Sequence, residues 1–393
     1  MKLNKPLIVL FLIIGSISRA QKINLPVVMT EVEKQTSLML QEIPIARGDK
    51  AELVSPRTIE NGQLKLVSSR DWTSGFFPGV LWMLYEYTKK EVWKTQAQQF
   101  TSNLEGEKTN GTTHDMGFKI YCSFGSGFKI TQDPHYKEVI MEAAKTLSTR
   151  FNPKVGALRS WDHHQDVWGF PVIIDNMMNL ELLFEATKWS GDSSFYRIAV
   201  SHANTTMKNH YRPDFSSYHV VDYDTATGKV VKKNTHQGFA DESAWSRGQA
   251  WGLYGFTMCY RYTGDKAYLF QAERIANFIL INPNLPKDMV PYWDFNAPNI
   301  PKAERDASAA AIMASAFYEL SRYSSQGSYY RDVAGKIVES LTKKYRSPIG
   351  KNKGFILLHC VGHMPNKSEV DAPINYADYY YLEALLRSRN SGQ

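Results

Sequence analysis

Apolar and polar positions along the chain fall into one design that recurs six times: a polar opening rich in Trp, Asp, Asn or Arg runs into a strongly apolar, helix-length segment. The openings are SRDWTSGFFPGVLWMLYEYT from Ser69, THDMGFKIY from Thr113, IIDNMMNLELLFEA from Ile173, ESAWSRGQAWGLYGF from Glu242, ERDASAAAIMASAFYEL from Glu304 and INYADYYYLEALL from Ile374. Their marker residues Trp72, Asp115, Asp175, Trp245, Asp306 and Asp378 lie 43 to 72 residues apart, which leaves room for one inner and one outer helix plus loops each time. Repetition of a helix pair predicts an all-α toroid whose neighbouring pairs bury each other's apolar faces. Polar and aromatic groups at equivalent helix ends should then converge on one pocket at one mouth.

Between the openings the period stays helical. An amphipathic helix is expected over Val28 to Ile43, a loop over Ala51 to Lys65, and an inner helix from near Ser74 to Thr88; Trp93 to Leu104 and Pro134 to Phe151 read as outer helices with charges on one face. Turn signals Trp189-Ser190-Gly191-Asp192 and Tyr262-Thr263-Gly264-Asp265 nearly repeat one another, as duplication of a unit would produce. One stretch breaks the rhythm. From Tyr211 to Gly238 polar and apolar residues alternate around Asp224-Thr225-Ala226-Thr227-Gly228, which predicts a short β-hairpin over one end of the barrel, carrying His219 and His236 towards the openings.

Composition adds a compartment. Lys2 and Lys5 precede the apolar run Leu7 to Ile14, and Ser18-Arg19-Ala20 supplies small residues for cleavage, so residues 1–20 read as a secretory signal peptide and 21–393 as one domain, expected in the periplasm. The run is shorter than the roughly 20 residues a membrane span needs, so no membrane anchor is expected. The net charge of +7 is dispersed without a basic run, which argues against nucleic acid. Cys122, Cys259 and Cys360 sit in apolar surroundings at irregular spacing and read as buried thiols. The load of 22 Tyr, 19 Phe and 9 Trp suits stacking of sugar rings as well as a core. Nothing in the sequence speaks to oligomeric state.

Asp175, between Ile173-Ile174 and Asn176-Met177-Met178, opens a helix whose next turns are apolar. Desolvation there can raise its pKa enough to hold a proton near neutrality; the alternative is a helix N-cap. Asp115, in His114-Asp115-Met116-Gly117-Phe118, opens the preceding inner helix, and two carboxylates on neighbouring helices fit acid and base work on a glycan. Arg247 lies between Trp245 and Trp251, an arrangement suited to a carboxylate-bearing sugar, unless it merely pairs with Asp241 or Glu242. His219 and His236 could reach hydroxyls or a carboxylate. The run Trp161-Asp162-His163-His164 has adjacent histidines that cannot share a helix face and no partner cluster, so no metal is expected.

In these residues the chain resembles glycoside hydrolase family 88, the unsaturated glucuronyl hydrolases. The likeness runs from about Trp72 to Arg387 and is carried by HDMGF, IIDNMMNL, SYHVVDYDTATG, SRGQAWGLYGF, VPYWDF and NYADYYYLEALLR. It implies an (α/α)6 barrel, Asp175 as general acid and base, Asp115 in support, and Trp72, His219, His236, Arg247 and Trp251 around the sugar, with Tyr292 of VPYWDF counted beside them. It also implies a reaction with no metal or organic cofactor: hydration of the enol ether in a 4,5-unsaturated uronic acid at the non-reducing end of a di- or oligosaccharide. Where family members place Ser and Lys to meet a sulfate, this chain reads LLHCVGHMPNKSEVDAP, with Lys367 and Ser368 present but His359, Cys360 and His363 altering the character. The leaving sugar is therefore open. Two other readings remain at this stage: a polysaccharide lyase using His236 and Tyr292, and a non-catalytic glycan-binding protein.

Overall fold

A computed structural model describes residues 23–390; the expected signal peptide lies outside the described residues. Twelve α-helices form among the described residues: α1 (Leu25–Arg47), α2 (Phe76–Thr88), α3 (Glu91–Ser102), α4 (Ser126–Thr131), α5 (Pro134–Ser148), α6 (Leu180–Ser190), α7 (Ser193–Asn209), α8 (Ser246–Thr263), α9 (Lys266–Ile281), α10 (Ala307–Leu320), α11 (Gly327–Ser340) and α12 (Asn375–Asn390). The even-numbered helices are the inner ring, and α12 packs back on α2 to close it. Their sequences explain the placement: every residue of α10, and α8 from Ser246 to Cys259, is buried, whereas α5, α7 and α9 bury only one face. α1 completes the outer ring, since its Glu33 accepts from Lys90 and Trp93 at α3 while its Glu31 accepts from Arg346 beyond α11. The chain is an (α/α)6 barrel.

The repeated turn signals have one physical origin. Gly191 (φ +75°) and Gly264 (φ +68°) take the left-handed conformation that ends α6 and α8; Asp192 and Asp265 then cap α7 and α9 by accepting from Ser194 N (2.8 Å) and Ala267 N (2.9 Å).

Nine short strands decorate the ring among the described residues: β1 (Ser55–Glu60), β2 (Gln63–Val67), β3 (Phe151–Asn152), β4 (Ala157–Leu158), β5 (Pro171–Ile173), β6 (Val220–Tyr223), β7 (Val230–Asn234), β8 (Cys360–His363) and β9 (Ser368–Ala372). The expected hairpin is β6–β7, and β5 joins it in antiparallel register to make three strands. The expected loop from Ala51 to Lys65 is instead the hairpin β1–β2, turning at Asn61-Gly62 with φ of 51° and 75°. Asn-Gly between alternating residues is a strong hairpin signal, outweighed here by the number of turn formers around it. The inner helix opening at Asp115 also departs from expectation: Gly117–Gly125 is π-helical before it tightens into α4.

Away from the polar openings, charges brace the inner helices. Arg261 bridges Glu181 (2.5 Å) and Glu319 (2.7 Å), and Arg387 pairs with Glu319 (2.8 Å), around a cavity of about 70 Å³. Between that cavity and the opposite mouth lies an aromatic layer in which Trp251 packs on Phe118 (5.3 Å) and Tyr380 (5.4 Å).

Candidate active site

Asp175 sits where β5 ends and a tight turn, Ile174–Asn179, leads into α6. Ile174 N donates to His219 O (3.0 Å), and Asn176 Nδ2 donates to Leu158 O (3.1 Å), so both sides of the aspartate are held by other elements. Neither the turn nor α6 takes a side-chain cap, and Oδ2 is buried without a hydrogen-bond partner. The N-cap alternative therefore does not describe this residue. Burial pushes its pKa up to about 7; Arg247 and the Trp251 indole N–H pull against that shift, and the charge of Asp115 adds to it.

His219, at the start of β6, faces this carboxyl with Nε2 3.6 Å from Oδ2. Its tautomer follows from the backbone. Nδ1 accepts from the main-chain N–H groups of His236 and Gln237, both at 3.1 Å, and burial holds the ring well below the usual imidazole pKa. A neutral ring that accepts at Nδ1 carries its proton on Nε2, so an N–H points at Asp175.

Asp115 is held by Thr113 Oγ1, which donates to its Oδ2 (2.7 Å), and its Oδ1 lies 3.4 Å from Nε2 of the buried His114. The opening is fastened to the one carrying Asp175 through Asn179, whose Oδ1 accepts from Gly117 N (2.9 Å) and Phe118 N (3.2 Å). Such close approach requires glycine: a Cβ on Gly117 would stand 2.7 Å from Asn179 Cα and 2.8 Å from its Oδ1. We expect Gly117→Ala to cost about 1–3 kcal/mol in urea unfolding. It should also lower kcat, because the two aspartate-bearing turns must separate; unchanged stability and kcat would remove this junction from the account.

Arg247, on the first turn of α8, is fully buried. It pairs with Asp306 (3.1 Å) and donates to the carbonyls of Val361 and Gly362 (2.6 Å to the latter), with its guanidinium 4.5 Å from the Trp245 ring and 5.3 Å from Tyr376. The expected alternative partners are engaged elsewhere: Asp241 accepts from Thr235 N (2.8 Å), and Glu242 lies 3.4 Å from Arg212. Tyr376, not Trp251, is the second aromatic face. Arg247 Nε has no partner.

Of the remaining expected residues, Trp72 is half-buried and packs edge-on against Phe118 (5.4 Å). Trp251 is completely buried, so its ring belongs to the aromatic layer and only its unpartnered Nε1 is directed near Asp175. His236 is half-buried at the mouth, ringed by Trp161, His164, Trp168, His219 and His363. Tyr292 is not among those rings. Its hydroxyl donates to Pro301 O (3.4 Å) and Arg305 covers its face, so the acid–base pair a lyase would draw from His236 and Tyr292 is not assembled. The sequence reading missed Trp161, whose indole stands 5.9 Å from His219 and 5.2 Å from His236. Its signal is the aromatic residue heading the run Trp161 to His164; among the described residues no group of three or more His, Cys, Asp or Glu is placed to hold a metal.

Comparison with known proteins agrees with this architecture. The model of Glycosyl Hydrolase Family 88 matches residues 49–381, and the chain belongs to this family. A relative named unsaturated glucuronyl hydrolase from Formosa agariphila is 56% identical over 328 residues, covering 82% of this chain and 81% of that protein. An unsaturated chondroitin disaccharide hydrolase from Streptococcus pneumoniae is 32% identical, with 86% of each chain covered. The crystal structure of an unsaturated glucuronyl hydrolase specific for heparin superposes with a TM-score of 0.87 at 45% identity, covering 92% of this chain and 97% of the other. The protein is a glycoside hydrolase.

Proposed function

We propose that the protein is an unsaturated glucuronyl hydrolase, removing the 4,5-unsaturated uronic acid from the non-reducing end of oligosaccharides that polysaccharide lyases leave behind. The observation that carries this reading is Asp175, a buried carboxyl with a free oxygen and a pKa of about 7 beside an imidazole fixed as an N–H donor. Such a group holds a proton at neutral pH and can both give and retake it.

Asp175 protonates C4 of the enol ether, and positive charge develops at C5 as an oxocarbenium ion. The carboxylate so formed is met by the His219 Nε2–H and then takes a proton from the water that adds at C5. The hemiketal opens and the leaving sugar departs with no glycosyl-enzyme. Asp115 keeps Asp175 protonated in the resting site by opposing a second negative charge nearby. Arg247 places positive charge beside the uronate carboxylate, and Trp72 flanks the ring; no metal takes part.

The acid form of Asp175 is the active one, so kcat/KM should fall as pH rises through about 7. A profile flat from about pH 6 to about pH 9 would contradict this assignment. The function itself is tested by ultraviolet absorbance. The conjugated uronate signal should fall when lyase-generated disaccharide is supplied; a rise with intact polymer would indicate a lyase, and no change a binding protein. We also read residues 1–20 as an export signal to the periplasm and 21–393 as one domain, which the N-terminal sequence of the mature protein would check.

A further inference from the structure

We infer that His114 is a positioning residue for Asp115: a neutral imidazole, its tautomer set by Asn179, whose Nε2–H meets the aspartate and holds it in the charged form that the reaction uses. The inference rests on the hydrolase reading above and adds a residue to it. His114 directly precedes Asp115 and is buried where the π-helical segment opens.

The tautomer follows from one amide. Oδ1 of Asn179 accepts from Gly117 N and Phe118 N, which fixes the orientation of the group, so the atom turned to His114 is Nδ2, 3.4 Å from the ring's Nδ1. An amide NH2 only donates. Nδ1 therefore accepts, and the proton of the neutral ring lies on Nε2. That nitrogen stands 3.4 Å from Asp115 Oδ1. Burial holds the imidazole below its ordinary pKa; Asp115 and Asn176 favour a second proton on it, whereas Arg150 and His163 oppose one. The neighbouring His202 is buried, with its pKa lowered to about 3, and adds no charge at neutral pH.

The two aspartates are thus met alike but held unlike. Each faces the Nε2–H of a buried, neutral histidine whose Nδ1 accepts from N–H groups: His236 N and Gln237 N for His219, and Asn179 Nδ2 for His114. Asp175 is buried with Oδ2 unpartnered, which favours the acid. Asp115 is only half-buried and has a donor for each oxygen, Thr113 Oγ1 at 2.7 Å from Oδ2 and His114 Nε2 at Oδ1. Donors of that kind favour the carboxylate. A charged Asp115 opposes loss of the proton from Asp175, and it supplies negative charge against the cation that develops at C5. Asn179 ends the turn that carries Asp175, so the amide that sets the His114 tautomer also ties the two carboxyl groups together.

Substituting His114 by Asn and by Gln separates the two ring nitrogens. Asn carries its amide near the place of Nδ1 and can keep the tie to Asn179 without reaching Asp115; the longer Gln can place an N–H near Nε2. His114→Asn should lower kcat about tenfold or more while KM changes less than about twofold, and His114→Gln should recover most of that loss. Because the role runs through Asp115, adding His114→Asn to Asp115→Asn should cost little more in kcat, a non-additivity that a merely structural residue would not show. Nitrogen-15 spectra of the wild-type histidine rings, with His114 assigned by the resonances lost in His114→Gln, should show Nε2 protonated and Nδ1 bare at about pH 7. A proton on Nδ1 would overturn the inference. So would equal kcat losses in the two single variants, or full additivity with Asp115→Asn. Wild type that turns over no unsaturated disaccharide would instead overturn the hydrolase reading, whereas the ring spectra judge the His114 assignment without substrate.

Discussion

Asp175→Asn is expected to give a folded protein that binds unsaturated disaccharide yet turns it over at least about 100-fold more slowly, since the amide keeps the shape and cannot deliver a proton. The same variant should be more stable than the wild type at alkaline pH. In the folded state the carboxyl has a pKa of about 7, above the ordinary aspartate value of 3.8, so its contribution to stability is complete below the unfolded value and is lost as pH rises through the folded one. An uncharged amide does not suffer that loss. The melting temperature of Asp175→Asn should therefore exceed that of the wild type near pH 8, and the gap should narrow towards about pH 4. A variant less stable than wild type at every pH, or one retaining more than about a tenth of the turnover, would show that the carboxyl is structural.

Arg247→Met is the second large effect. Removing one member of a buried ion pair costs about 3–5 kcal/mol, because Asp306 is left buried with no cation opposite. Arg247 is also the cation that pulls most strongly on Asp175, so in Arg247→Met the alkaline fall in kcat/KM should move to higher pH. Arg247→Lys separates the two contributions. An ammonium can still meet Asp306, but it cannot span the carbonyls of Val361 and Gly362 or lie flat between Trp245 and Tyr376. Stability should be partly restored while kcat/KM stays depressed. Full recovery of kcat/KM in Arg247→Lys would confine Arg247 to holding the helix opening.

The recurrence of apolar helices after polar openings was enough to read the toroid, because inner helices buried on all sides leave a signature that short strands do not. Asp175 was legible for the same reason: an aspartate flanked by Ile173-Ile174 and Met177-Met178 is bound to be desolvated. What stayed hidden depended on contacts distant in sequence. Asp306 and Asp378 mark openings in the same way as Asp175, yet Asp306 caps α10 and holds Arg247, and Asp378 accepts from Ile356 N and Leu357 N. No local pattern distinguishes an aspartate that clamps a loop from one left free for chemistry. The partner of Arg247 lies 59 residues away, and the lock on His219 comes from main-chain groups 17 and 18 residues further on. The setting of Trp251 also depends on distant contacts, since Phe118 and Tyr380 pack on its ring while its Nε1 is directed near Asp175.

The destination of the proton separates enol-ether hydration from direct displacement most directly. If Asp175 protonates C4, turnover of an unsaturated disaccharide in D2O should place one deuterium at C4 of the released sugar, on a single face, at the earliest times visible by proton NMR. The double bond should disappear at the same rate as the leaving sugar is freed. Release of the leaving sugar ahead of any loss of the double bond, with no deuterium at C4, would mean direct displacement at the glycosidic carbon and would contradict the account.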